Sequence, residues 1–363
     1  MKNIFLLIFL VFISCGKSIE DNCFQDTADE AEVYKEEVPF TVQEILSHKP
    51  DYLTISKLKK YRSFKEDSIS SNFYDINNEK EELRKYEDHK KYYAKFDSLF
   101  NGQFAFSSKQ FLDGKEYALA KNELGFWLVK IENDKPYAYF LGLSFSHYHI
   151  NEVQEDPIVK NGKLQLQGSL VKIIKVPGLP GYDDYSAIDD GKLFSIKLSD
   201  LEKDSDNDGY NDIFEESFGL NPDSKDSDSD GVDDFHDLNP LFKSEKNKFT
   251  SLFEQLLPRY ATSVGQNFKK MNYFFVVYDN DCEYFQHVTP ELRTIIIPEE
   301  PSKRSYYLRV TDVTRGGISK MKKDKKNPNK FYILKWGSSS TTDYCVEFIN
   351  GKWKINITSS TVV

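Results

Sequence analysis

Sulfur is scarce in this chain. Its 363 residues hold four cysteines and three methionines. That excludes a disulfide-dense scaffold, and no Cys-x-x-Cys spacing offers a zinc site. Long apolar runs are missing as well. Ile4 to Ile13 is the longest near the N-terminus, well short of the roughly 20 residues that cross a bilayer as a helix. There is no Gly-x-Ser-x-Gly elbow, no His-Glu-x-x-His helix and no complete Gly-x-x-x-x-Gly-Lys-Ser/Thr phosphate loop, since Gly16-Lys17-Ser18 lacks the first glycine at Val11. Local motifs therefore name no reaction, although catalytic residues that meet only in three dimensions leave no such trace. Basic residues are not in excess: the chain carries a net charge of −10, which argues against a nucleic-acid partner.

What the chain does have is a local surplus of acid. Residues 204–237 hold thirteen carboxylates against one base, Lys225, for a net of −12, so the remainder of the chain sums to +2. Within this segment Asp-x-Asp-x-Asp-Gly occurs twice, 22 residues apart. The first copy places Asp204, Asp206, Asp208, Asp212 and Glu215 at loop positions 1, 3, 5, 9 and 12. The second places Asp226, Asp228, Asp230, Asp234 and Asp237 there. Position 6 is Gly209 or Gly231, and position 7, which offers a backbone carbonyl, is Tyr210 or Val232. Alternate residues of a tight loop point oxygens at one centre, and glycine permits the sharp turn; this is the spacing that wraps a Ca²⁺ ion. Like charges so close together repel by about 1 kcal/mol per pair even in water. The segment is therefore expected to bind two Ca²⁺ ions as cofactors; the bland alternative is a solvated acidic linker.

The run from Asp204 to Pro240 resembles the bacterial form of the thrombospondin type 3 repeat, with EF-hand-like calcium loops. Glu215-Glu216-Ser217-Phe218-Gly219-Leu220-Asn221-Pro222 fits that family's connector, and Leu238-Asn239-Pro240 its repeat end. The resemblance covers about a tenth of the chain. It implies calcium as the ion and a stiff spacer between domains as the role. The disulfide-forming cysteine of the animal repeats is absent.

Lys2, the apolar run, Ser14 and Cys15 read as a signal peptide. Phe12-Ile13-Ser14-Cys15 resembles a bacterial lipoprotein signal, which implies lipidation of Cys15. Gly16, Glu20 and Asp21 resemble the tethers of surface-displayed lipoproteins in the Bacteroidota, implying an outer-membrane address in the cell envelope. Cys282 and Cys345 remain as candidates for a disulfide in an oxidising compartment, the alternative being two buried thiols.

The boundaries that follow are a signal at 1–14, a tether at 15–37, a mainly helical region at 38–100, an antiparallel β domain at 101–203, the calcium segment at 204–240 and a C-terminal α+β domain at 241–363. Aromatic content of 15% favours pleated sheet, so the fold class expected is β-rich α+β, in several domains. Glu79 to Phe96 reads as a surface helix packing an aromatic stripe on the next domain, and Phe249 to Met271 as an amphipathic helix that Pro258 kinks or divides. Glu132 to Lys135 and Asn350-Gly351 read as hairpin turns. The C-terminal strands, one of them over 306–313, are expected to form a curved antiparallel sheet.

Four weaker constellations remain. His147 and His149 share a strand face and suit a transition metal or simple packing. Asp183, Asp184, Asp189 and Asp190 surround a Gly/Pro-rich loop at 177–181 and suit acid–base work or solvation. Asp279, Asp281 and Glu283 alternate near a strand end and suit a third, weak cation site or simply a turn. Lys320, Lys322, Lys323, Lys325, Lys326 and Lys330 form a basic loop suited to anionic headgroups, acidic glycans or water. Two functions are compatible with all of this. One is an exported, lipid-anchored calcium-binding protein whose two ions rigidify a connector, in a structural or binding role with calcium and the membrane as its named partners. The other is an envelope hydrolase acting on glycan or peptide, with calcium as a staple.

Overall fold

The computed structural model describes residues 19–25, 40–72, 78–145, 147–175, 183–258, 271–297, 316–337 and 340–362. Cys15, the apolar run before it, the 177–181 loop and the strand expected at 306–313 lie outside them. Strand outweighs helix, 38% to 22%, and the fold is β-rich α+β.

Residues 19–25 are not a tether. They form α1 (Ile19–Cys23) and β1 (Phe24–Gln25), and Cys23 is buried in a disulfide with Cys282. Neither alternative for Cys282 and Cys345 holds: they do not pair with each other, and only Cys345, half-buried, is a free thiol. The reason is strand alternation: Val346 points into the core, so its neighbour Cys345 faces the other side of the sheet.

The next region is helical with one exception. It runs α2 (Val42–Ser47), β2 (Thr54–Lys57), α3 (Phe64–Asn72), α4 (Glu79–Tyr92) and α5 (Ala94–Leu99). Thr41 and Glu44 form a reciprocal capping box on α2. Acids in the first turn of α4 and His89, Lys90 and Lys91 in its last suit the helix dipole. Arg84 pairs with Glu81 at 2.6 Å and Asp88 at 3.1 Å. The aromatic-stripe expectation fails on α4, which buries no residue and leaves Leu83, Tyr86 and Tyr92 exposed. The helix breaks at Tyr93, and it is Tyr93 and Phe96 beyond the break that pack, Tyr93 stacking on Phe106.

A four-stranded antiparallel meander follows: β3 (Ala105–Leu112), β4 (Lys115–Asn122), β5 (Gly125–Glu132) and β6 (Lys135–Phe140). Asn133 and Asp134, between β5 and β6, both have positive φ, as a two-residue type I′ hairpin requires. β5 is buried on both faces. The second sheet combines β7 (Tyr148–Ile150), β8 (Val159–Lys160), β9 (Lys163–Lys175) and β10 (Asp183–Lys197) with β2, in the order β2-β10-β9-β7 and β8 beside β9. α6 (Leu198–Leu201) then leads into the acidic segment, whose only helix among the described residues is α7 (Asp212–Phe218).

The C-terminal unit opens with α8 (Lys248–Leu256), capped by Asn247, whose side chain accepts from Phe249 N and Thr250 N. The helix ends before Pro258, where a division was expected, and residues 259–270 of the expected run lie outside the described residues. Leu257 is already extended, as the residue before a proline must be. The sheet comprises β11 (Val276–Asp279), then after α9 (Glu283–Gln286) β12 (Thr294–Ile297), β13 (Gly316–Ile318), β14 (Met321–Lys323), β15 (Lys330–Trp336), β16 (Ser340–Ile349) and β17 (Lys352–Val362). It is mixed rather than antiparallel. β11 runs parallel to β12 and β13, and β1 adds parallel to β14. Asn350 and Gly351 make the positive-φ turn between β16 and β17.

One hydrophobic core crosses these units. Trp127 of β5 lies 5.6 Å from Phe214 of α7, which lies 5.7 Å from Phe275 beside β11. Tyr273 N donates to Gln103, and Asn122 donates to Tyr273 O. The acidic segment is thus wedged between sheets that also touch directly, and does not bridge a gap alone.

Candidate metal centre

The two acidic loops share most of their turn hydrogen bonds. Asp212 N donates to Lys203 O and Asp234 N to Lys225 O. Ser205 N and Oγ donate to the Asp212 carboxylate at 2.7 and 2.8 Å; Ser227 N and Oγ donate to Asp234 at 2.9 and 2.6 Å. Gly209 N is held by Asp204 and Gly231 N by Asp226. Asn207 and Ser229 at position 4, and Gly209 and Gly231 at position 6, all have positive φ. Gly209 has a second constraint: a Cβ there would lie 3.0 Å from the Phe235 ring of the other loop.

These turns gather carboxylates. Oxygens of Asp204, Asp206 and Asp208 lie within 4.8 Å of one another, as do those of Asp226, Asp228 and Asp230, and those of Asp208, Glu215 and Asp234. Such clusters could hold a metal ion. The third joins the two loops, because Asp234 of the second reaches Glu215 of the first. Asp212 and Asp237 are not in these groups. Asp212 is spent on Ser205 and on Lys203 Nζ at 2.6 Å, so position 9 acts as a staple across the loop's own turn. Asp237 accepts from Asn239 N. At position 7 the Tyr210 ring is buried and donates from Oη to Asn272 O at 2.6 Å, while Val232 is exposed.

Several oxygens are buried with no hydrogen-bond partner: Asp204 Oδ1, Asp206 Oδ2, Asp208 Oδ2, Asp228 Oδ2 and both oxygens of Glu215. Glu215 is fully buried, and leaving such a charge uncompensated is costly. Burial, reinforced by Asp208 and Asp206, pushes its carboxyl up to about 9. Burial also raises Asp208 to about 7, Asp228 to about 6 and Asp234 to about 6. A carboxyl whose folded pKa is raised holds its proton more tightly when folded. Stability is then greatest below the unfolded pKa and is lost as pH rises through the folded one. Without metal, the protein should therefore melt at a higher temperature near about pH 6 than near about pH 8, which calorimetric scans in chelator would check.

Some residues that matter here carry no motif. Asn211, at position 8, is 1% exposed. Its Oδ1 accepts from Phe140 N, and its Nδ2 donates to Phe140 O and Leu201 O, tying the first loop to the end of β6. Asn211→Ala leaves the buried Phe140 N–H without a partner and should cost about 2 kcal/mol, read as a lower urea midpoint. Arg293, also buried, donates from Nη1 to Asp237 O and from Nη2 to Asn272, and Asn239 donates to Gln286 O and Val288 O. These fix the second loop to the C-terminal unit. Only an asparagine or arginine amid apolar neighbours hints at them in sequence.

The other constellations have structural partners. His149 Nε2 lies 3.1 Å from Asp67, and His147 packs edge-on against Phe40. Asp189 pairs with Lys192, and Asp190 accepts from Ser169 and Phe64 N; Asp183 and Asp184 lie at the start of β10. Asp279, Asp281 and Glu283 flank the end of β11 and do not join the metal-type groups among the described residues. A cavity of about 260 Å³ is lined by His48, Asp51, Glu216 and Ser217. There His48 Nδ1 faces Glu44 O at 2.7 Å and the Ser217 hydroxyl is given to Ile213 O, so they form no nucleophile–base pair. Of the lysines, Lys320 donates to Asp21 O and Lys323 pairs with Glu20. Comparison of the chain with protein-family models, with curated proteins and with solved structures gives no match.

Proposed function

We propose that this is an exported, lipid-anchored calcium-binding protein of the thrombospondin type 3 repeat kind, in which two Ca²⁺ ions lock the acidic loops between the sheets. The observation that carries this reading is Glu215, a buried carboxylate with no donor to either oxygen. Asp208 and Asp234 converge on it. The converging groups are all carboxylates, a hard-oxygen set suited to Ca²⁺ rather than to softer metals. Asp204, Asp206, Asp208 and Glu215 would hold one ion, and Asp226, Asp228 and Asp230 the other. Asp234 would couple the two. An ion supplies the positive charge that the loops otherwise lack, and the packed rings of Trp127, Phe214 and Phe275 pass that order to both flanking sheets. Secretion through the signal and lipidation at Cys15 would place the loops where calcium is abundant.

Isothermal titration of Ca²⁺ into the mature chain tests this. Two ions should bind with dissociation constants of about 10⁻⁴ to 10⁻³ M. Asp204→Ala should remove one of them and weaken the other. No heat above dilution would overturn the reading. With calcium bound the pH dependence should also reverse, since protons now compete with the ion.

A further inference from the structure

A second site lies away from the acidic loops. Phe24, Phe249, Tyr284 and Phe331 form the aromatic floor of a cavity of about 530 Å³. Phe24 sits 5.2 Å from Phe249 and 5.8 Å from Phe331. The rim is cationic, with Lys248, Lys323, Lys325 and Lys326. Its two acids are already engaged. Asp324 accepts from Lys326 N, Asn327 N and Tyr332 Oη, and Glu20 pairs with Lys323. Lys248 is held over the Phe348 ring at 4.6 Å. Lys325 and Lys326 are exposed and pair with no carboxylate among the described residues. An apolar floor under unpaired cations selects a ligand with an anionic head and an apolar body.

We infer that this cavity binds the phosphate headgroup of an anionic membrane phospholipid. The membrane as source rests on the export reading above. Cys15, the proposed lipid attachment, stands four residues before Ile19, a reach of at most about 14 Å. The Cys23–Cys282 disulfide and the β1–β14 pairing then fasten that end of the chain beside the lysines. The surface carrying the cavity is thereby held against the bilayer instead of trailing from it.

Flotation of the mature chain carrying Cys15→Ser, which has no lipid of its own, tests the inference. In millimolar calcium it should bind vesicles of phosphatidylcholine with phosphatidylglycerol, and neutral phosphatidylcholine vesicles far less. Lys325→Glu with Lys326→Glu should weaken binding about tenfold or more, without changing the melting temperature, since both side chains are exposed. Equal binding to both vesicles, or binding unaffected by the charge reversal, overturns the inference. Binding that survives the reversal but disappears in chelator means calcium bridging and also overturns it. Soluble glycerol phosphate binding as tightly as the vesicles would replace the membrane by a free phosphate ester. Calcium titration of the same preparation reads the metal proposal separately, so the two fail independently.

Discussion

Chelator lowers the first unfolding transition of the calcium-loaded protein by roughly 10 °C. Each ion present at a hundredfold its dissociation constant contributes about 2.7 kcal/mol, and a cooperative unit of about 150–250 residues shifts by about 2 °C or more per kcal/mol. Glu215→Gln distinguishes the cause. In calcium the variant should melt below the wild type, having lost a ligand. In chelator near neutral pH it should melt above it, because the amide needs neither to bury a charge without a donor nor to take up the proton that folding forces on Glu215. The two curves cross only if Glu215 exists to meet a cation. Superimposable melts with and without calcium would sink the proposal, and a Glu215→Gln variant that is weaker under both conditions would sink this account of Glu215.

Loss of the Cys23–Cys282 bond has the second large effect. The two residues are 259 apart in sequence, so the bond restricts a very long loop in the unfolded chain. In the chain-entropy view that stabilises by about 5 kcal/mol, within a general range of roughly 2 to 5. Cys23→Ser with Cys282→Ser should lower the urea midpoint accordingly and speed amide exchange of residues 20–25 as β1 leaves β14. Cys345→Ser should change neither, its thiol being unpaired. A serine pair as stable as the wild type would show that packing of the half-buried Phe24 against Phe249, Tyr284 and Phe331 suffices to dock the N-terminal segment.

The turns were legible in the sequence because their causes are local. Asn133-Asp134 and Asn350-Gly351 adopt the positive φ that their residue types favour. Pro258 ended α8 at Leu256, two residues ahead of itself, with Leu257 already extended. The parallel pairing of β11 with β12 was not legible, since the strands' composition is the same for either direction. Nor was the entry of β2 into the second sheet, a four-residue strand amid helices. The aromatic stripe on α4 was misread because a helix break at Tyr93 turned Tyr93 and Phe96 inward and left Tyr86 and Tyr92 in water.

At the acidic loops the division is sharpest. Within twelve residues, aspartates at alternate positions and a glycine at the sixth determine where the carboxylates point, because the backbone of so tight a turn leaves few alternatives. Sequence alone therefore determined that oxygen ligands would converge, twice. Only the tertiary structure decided that Asp234 crosses to Glu215, that Asn211 and Arg293 bind the loops to different sheets, and that Cys23 takes Cys282. Those contacts join residues far apart along the chain, and their partners are chosen by how whole sheets pack, which no short window of residues contains.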